Sequence, residues 1–189
     1  MKKLLLLLPL AAGLGVGERA DGAILRLSLD QIVVQTDNAV DGEIVARNVY
    51  RVDHPTHGPE VYYTVLTLAG RSLADGRALT VDVAYLGGFV SETEGVWNSE
   101  APADQDVQHG KRVVAFYKWV DDFGAGVAGN ILYTSHGSLF RVVEGPSGAV
   151  VLGRGDGYPI QSNLKVDSLG SAVRSILETA KSQSGQAGQ

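Results

Sequence analysis

The chain of 189 residues has no cysteine, one methionine, six prolines and two tryptophans. Without cysteine there is no disulfide framework, no thiolate zinc site, no thiol nucleophile and no lipid-bearing cysteine anchor, so burial alone must hold the fold together. Clusters of lysine and arginine are missing too. With a formal net charge of −5, the chain lacks a phosphate-tracking surface, and nucleic acid is not an expected partner. No apolar run reaches the roughly 20 residues that cross a bilayer as a helix. Glycine is plentiful at 24 residues. Together with many Val, Thr and Tyr, it favours strands joined by tight turns.

The first residues carry an address. Met1-Lys2-Lys3 is a basic start, residues 4–14 form an apolar run broken only by Pro9, and Gly13, Gly15, Gly17 and Ala20 are the small residues that precede a cleavage site. This is the pattern of a Sec-type signal peptide over residues 1–22, and it predicts export to a periplasmic or extracellular compartment. No stable membrane anchor is expected after its removal. The remainder suits one domain, residues 23–181. The Gln/Ser/Gly tail, residues 182–189, reads as disordered.

Ser28-Leu29-Asp30-Gln31 is a capping box opening a short helix that ends near Asp37-Asn38. From Ala39 to Val52 an alternation places Val40, Ile44, Ala46, Asn48, Tyr50 and Val52 on one face of a long strand, with Gly42 at a bend. The segment His54-Pro55-Thr56-His57-Gly58-Pro59 turns the chain into a second strand over 61–69, and Asp75-Gly76 turns it into a third over 78–85. Residues 89–110 are polar and aperiodic, a long surface excursion carrying Trp97. The dense apolar run 113–117 predicts a central strand. Residues 130–143 and 149–152 complete the sheet, and Leu169, Val173, Ile176, Leu177 and Ala180 mark the stripe of a C-terminal amphipathic helix.

The order of these motifs resembles a group of exported bacterial proteins of unknown function. The pieces that carry the resemblance are Asp41-Gly42-Glu43-Ile44-Val45, Tyr63-Thr64-Val65 with Gly70, Val83 with Gly87-Gly88, Pro102, Gly110-Lys111-Arg112-Val113-Val114-Ala115-Phe116 and His136-Gly137-Ser138-Leu139-Phe140. The resemblance implies a mainly β fold with flanking helices, an OB-like five-stranded Greek-key barrel similar in outline to the netrin-like domain of tissue inhibitors of metalloproteinases. Those inhibitors place an N-terminal cysteine on the target's zinc. With no cysteine here, that chemistry does not transfer, and only the architecture and a secreted binding role are implied.

Several residue groups invite a chemical reading. His54, His57 and Glu60 are metal-ligand types at short spacing, although Pro55 and Pro59 forbid the helix that would make such spacing converge. Glu92, Glu94, Asp104 and Asp106 are the hard oxygens a calcium ion takes, without the spacing of an EF-hand. His109 and His136 stand beside glycines, with no serine elbow to suggest a triad. Arg154-Gly155-Asp156 is the tripeptide of integrin ligands, and equally a polar hairpin tip. Trp97, with Phe89 and Tyr85 near the base of its loop, fits an interface anchor as well as a plug folded back over one barrel end. Trp119, closing the densest strand, reads as core.

The expected protein is therefore an exported, non-enzymatic binding module with no cofactor. Its site is Trp97, Phe89 and Tyr85 on the loop and barrel mouth, and its partner is an extracellular or envelope protein. A secreted peptidase inhibitor, or partner of a metallopeptidase, is the first alternative. A metal-dependent hydrolase built on His54, His57 and Glu60 is the second.

Overall fold

The computed structural model describes residues 26–186. The signal peptide expected over residues 1–22 and the end of the tail lie outside them.

The capping box forms as its residues dictate. Gln31 N–H donates to Ser28 Oγ at 3.2 Å while Ser28 N–H donates to Gln31 Oε1 at 2.9 Å, opening helix α1 (Leu29–Gln35). The chain then enters β1 (Asn38–His54), turns at residues 55–57 into β2 (Gly58–Ser72), and turns again into β3 (Ala78–Leu86). A small hairpin of β4 (Gly88–Phe89) and β5 (Gly95–Val96) follows, then a 3-10 turn (Asp104–Asp106), β6 (Arg112–Val120) and β7 (Gly129–Leu132). A second 3-10 turn (Ser135–Ser138) leads to β8 (Leu139–Gly145), β9 (Gly148–Val151), β10 (Leu164–Lys165) and the long helix α2 (Val166–Gln186). α2 runs through Ser182, where composition suggested that order ends.

The sheet closes. Its strands follow the order β1-β2-β3-β7-β6, and β6 pairs back onto β1 from Asn38↔Tyr117 to Glu43↔Arg112. The β3–β7 pairing is parallel and the other barrel pairings are antiparallel. This is the OB-like, five-stranded Greek-key barrel with a helix at each end. The strand expected over residues 130–143 is interrupted by the second 3-10 turn, so β7 and β8 use successive lengths of the same β6 edge, at Val120–Tyr117 and Ala115–Val113.

The alternation inside β6 explains its unbroken apolar run. Val113, Ala115 and Tyr117 point into the barrel with Val40, Ile44, Leu66, Leu68 and Val83, while Val114 and Phe116 point outward. There the two helices cover them with Ile32, Val33, Leu169 and Val173. Burying both faces of a strand removes the polar half of the usual period-two pattern.

Trp119 breaks the expectation that it belongs to the core, for it is half exposed. The β1–β6 pairing stops at Tyr117, so the inward position two residues on has already left the closed part of the barrel. Its indole N–H donates instead to Asp121 at 3.1 Å.

Two departures from regularity in β1 decide where its second half points. Gly42 lies opposite Gly70, and a Cβ at Gly70 would collide with the Asp41 carbonyl and the Gly42 Cα, so the two strands cross closely at the bend. The register then slips between Ile44 and Ala46. A bulge exchanges the two faces of a strand. Before it, Val40 and Ile44 face the barrel; after it, Arg47 and Val49 stand opposite Leu66 and Thr64 on the barrel side, while Asn48, Tyr50 and Val52 turn to the other.

Candidate functional site

The excursion between β3 and β6 is held at both ends and in its middle. At the start, Gly87 N–H donates to Tyr62 O at 2.6 Å and Thr64 Oγ1, fully buried, donates to Gly87 O at 2.7 Å. Gly88 follows with φ of +133°, and a Cβ there would strike Thr64 and Val49, so glycine is required for the chain to double back on the barrel. In the middle, Asn98 Nδ2 donates to Leu86 O at 3.1 Å, and His136 N–H donates to Glu100 O at 3.0 Å. Val107 then enters the barrel interior and is fully buried. Gly110 N–H returns the chain to Ile44 O at 2.8 Å.

The two readings of Trp97 are thereby separated. Val107 plugs the barrel, and Trp97 is 76 % exposed. Nothing in the local pattern marked Val107, a lone valine in a polar stretch. Trp97, Phe89 and Tyr85 all line a single open groove of about 570 Å³, with Val96, Pro102, Arg47 and Arg154 among its other walls. Phe89 is half exposed, whereas Tyr85 is buried at the floor, where burial pushes its phenol above the ordinary tyrosine pKa. Trp97 also lines a second groove of about 370 Å³, with His57, Glu60, Tyr62 and Leu86 among its walls. Residues 96–99, which bear the exposed indole, line both hollows and form a ridge common to them.

The charged residues around the ridge are paired. Arg47 meets Asp104 at 2.7 Å, and Arg51 meets Glu60 at 3.4 Å and Glu94 at 3.6 Å. Asp106, largely buried, lies between Arg141 at 3.4 Å and Arg154 at 3.6 Å. Three of the four carboxylates that could have shared a calcium ion, Glu94, Asp104 and Asp106, are thus drawn to four different arginines. Asp106 Oδ1 has no hydrogen bond and relies on Arg141 alone.

Arg154 is not displayed as an adhesion tripeptide requires. Its guanidinium donates to the His136 carbonyl, stacks 5.6 Å over the Tyr158 ring, and pairs with Asp106, while Asp156 is exposed on the loop. His136 itself is aimed by Glu100, whose carbonyl lies 2.8 Å from Nδ1. A carbonyl only accepts, so Nδ1 is the donor in that contact, and Nε2 lies 3.4 Å from the Tyr158 hydroxyl.

The histidines of the β1–β2 turn do not converge with Glu60 on one point. Their rings pack 4.6 Å apart, but His54 Nδ1 accepts the backbone N–H groups of Thr56 and His57 at 3.1 and 3.2 Å. Glu60 is turned to Arg51. Among the described residues, no group of three His, Asp or Glu side chains is placed to hold a metal ion.

A further hollow of about 390 Å³ lies on the outer face of β1, β2 and β3, lined by Tyr50, Val52, Tyr63, Val65, Phe123 and Asn130 among others. The Tyr63 and Phe123 rings meet there at 4.9 Å. Phe123 sits in a glycine-rich turn that shows no periodicity, and Tyr50 reaches this face only because of the bulge. The available signal was weak: an aromatic residue inside an otherwise small and polar turn.

Comparison of the chain with protein families, with curated proteins and with solved structures finds no match in any of the three. The OB-like barrel therefore stands on the closed sheet itself.

Proposed function

We propose that this protein is an exported, non-enzymatic binding module, related in architecture to the netrin-like barrels, that holds another macromolecule of the periplasm or cell exterior at the Trp97 ridge. The observation that supports this most is the exposure of Trp97, 76 % open to solvent on a loop anchored at both ends. A large aromatic residue left in water on a pre-formed, ordered loop is the usual anchor of a recognition surface, because its burial on binding returns much apolar area at little cost in entropy. The two grooves that it lines are of the size that ligand-binding clefts have.

The reading is tested by capture. Mature protein immobilised beside a Trp97→Ala variant is exposed to native envelope and extracellular fractions. A species retained by the first and lost by the second is the expected result. Equal retention by both, or none by either, overturns the assignment of the binding surface.

Export is tested by mass. The protein recovered from outside the cytoplasm is expected to lack about 22 N-terminal residues. A full-length chain confined to the cytoplasm would refute it.

A further inference from the structure

We infer that the ridge and its two grooves bind a neutral glycan chain, with Trp97 as the stacking platform and one or more sugar rings lodged in each groove. This rests on the binding-module reading and names its ligand class.

Three observations carry it. The first is shape. Trp97 lines both grooves together with Val96, Asn98 and Ser99 and is exposed, so a ligand that lies on this segment can extend into both hollows. A linear oligomer of rigid rings meets that geometry, with the C–H face of one unit lying on the indole and its neighbours in the hollows. Among the described residues the Trp97 indole N–H has no partner, unlike that of Trp119, and is free to donate to a hydroxyl.

The second is charge balance. Arg47 lines the larger groove paired with Asp104, Arg154 lines it paired with Asp106, and Glu60 lines the smaller one paired with Arg51. Counted with Arg141, which shares Asp106, and Glu94, which shares Arg51, four arginines meet four carboxylates, so the two grooves together present planar donors and acceptors with no net charge. Hydroxyl groups, which both donate and accept, match that surface. A carboxylate or sulfate would compete with these carboxylates for their arginines and approach a chain whose net charge is −5.

The third concerns the alternative of a peptide strand. The hairpin that bears the ridge has strands of two residues each, too short an edge for an incoming strand to continue. A folded protein partner remains an outcome of the test.

The experiment uses the mature protein with Trp119→Phe, which leaves Trp97 as the sole indole, titrated with cellotetraose, chitotetraose and maltotetraose while its emission is followed. Tetragalacturonate serves as the acidic counterpart. At least one neutral tetrasaccharide is expected to shift the emission saturably and to bind about tenfold or more tighter than tetragalacturonate. Binding of that sugar to Trp97→Ala protein, read by calorimetry, is expected to weaken about tenfold, and Trp97→Phe is expected to recover part of it. Urea unfolding of each variant shows whether the fold is intact.

No saturable change with any neutral sugar up to about 10 mM, equal binding of the acidic one, or unchanged binding by Trp97→Ala overturns the inference. If the sugars are silent but the capture experiment retains a Trp97-dependent protein, the glycan assignment falls and the binding-module reading stands. If both are silent, both fall.

Discussion

At the scale of single residues, the excursion between β3 and β6 divides its labour between two apolar side chains of opposite fate. Val107 is enclosed by the barrel and Trp97 is left in solvent. Deleting two methyl groups from a fully buried site removes about 0.8 kcal/mol of transfer free energy for each, plus a cavity term, so Val107→Ala is expected to cost about 2 kcal/mol. Trp97→Ala is expected to stay within about 0.5 kcal/mol of wild type, as exposed positions do. Urea unfolding of the two variants checks both values. A destabilisation of Trp97→Ala as large as that of Val107→Ala would mean that the indole packs on the protein rather than awaiting a ligand. That Trp97, Phe89 and Tyr85 gather at one groove was legible in the sequence because aromatic residues around a polar loop are conspicuous, whereas the burial of Val107 and the places of Arg154 and His136 beside that groove were not. Their roles arise from segments distant in the chain, and no local pattern encodes such meetings.

At the scale of elements, β1 is the strand on which the site depends. Its first half is locked to β6, where Arg112 holds Asp41 through two hydrogen bonds of 2.9 and 2.8 Å and Glu144 through one of 2.7 Å. The hydrogen bonds that Arg112 donates to Asp41 raise its guanidinium above its ordinary pKa. Its second half, past the Gly42–Gly70 crossing and the bulge, presents Arg47 to one hollow and Tyr50 to another. Gly70→Ala would push a methyl group into the Asp41 carbonyl and force the strands apart. Overpacking of this kind costs about 1–3 kcal/mol. The expected outcome is a lower unfolding midpoint together with a changed environment at Trp97, seen in its emission. A Gly70→Ala variant as stable as wild type would show that the crossing is not tight. The helices and strands themselves were readable: the capping box of α1, the stripe of α2 and the turns at residues 55–57 and 75–77 all lie within a few neighbouring residues. The bulge was not, since the period-two pattern gives no sign that parity changes at Val45.

At the scale of the whole molecule, a cysteine-free barrel with helices on its outer face carries four tyrosines, Tyr62, Tyr63, Tyr85 and Tyr117, whose phenols are raised above their ordinary pKa, in each case chiefly by burial. A phenol that ionises later in the folded than in the unfolded state contributes stability that is complete below the unfolded value of about 10 and is lost as pH climbs from there through the folded value. The unfolding midpoint is thus expected to fall above about pH 10. Four of the seven tyrosines are expected to ionise late in an absorbance titration. All seven titrating together, with no loss of stability, would contradict this. On the acid side Asp75 works in the opposite sense. Hydrogen bonds from the Arg77 backbone and side chain lower its pKa, so its contribution is present above the ordinary carboxylate value and is lost as pH falls through the lowered one. The sequence by itself determined the all-burial mode of stabilisation, the two helices and most strand positions, because composition, caps, turns and periodicity act between near neighbours, while the class of barrel came from the resemblance in motif order. Only the tertiary structure decided that the barrel closes through β1 and β6, that Trp119 faces water, that three acids of the excursion meet arginines from other parts of the chain, and that an exposed indole lines two grooves. Those outcomes depend on strand register and on contacts between residues tens of positions apart, which become neighbours only when the sheet curls shut.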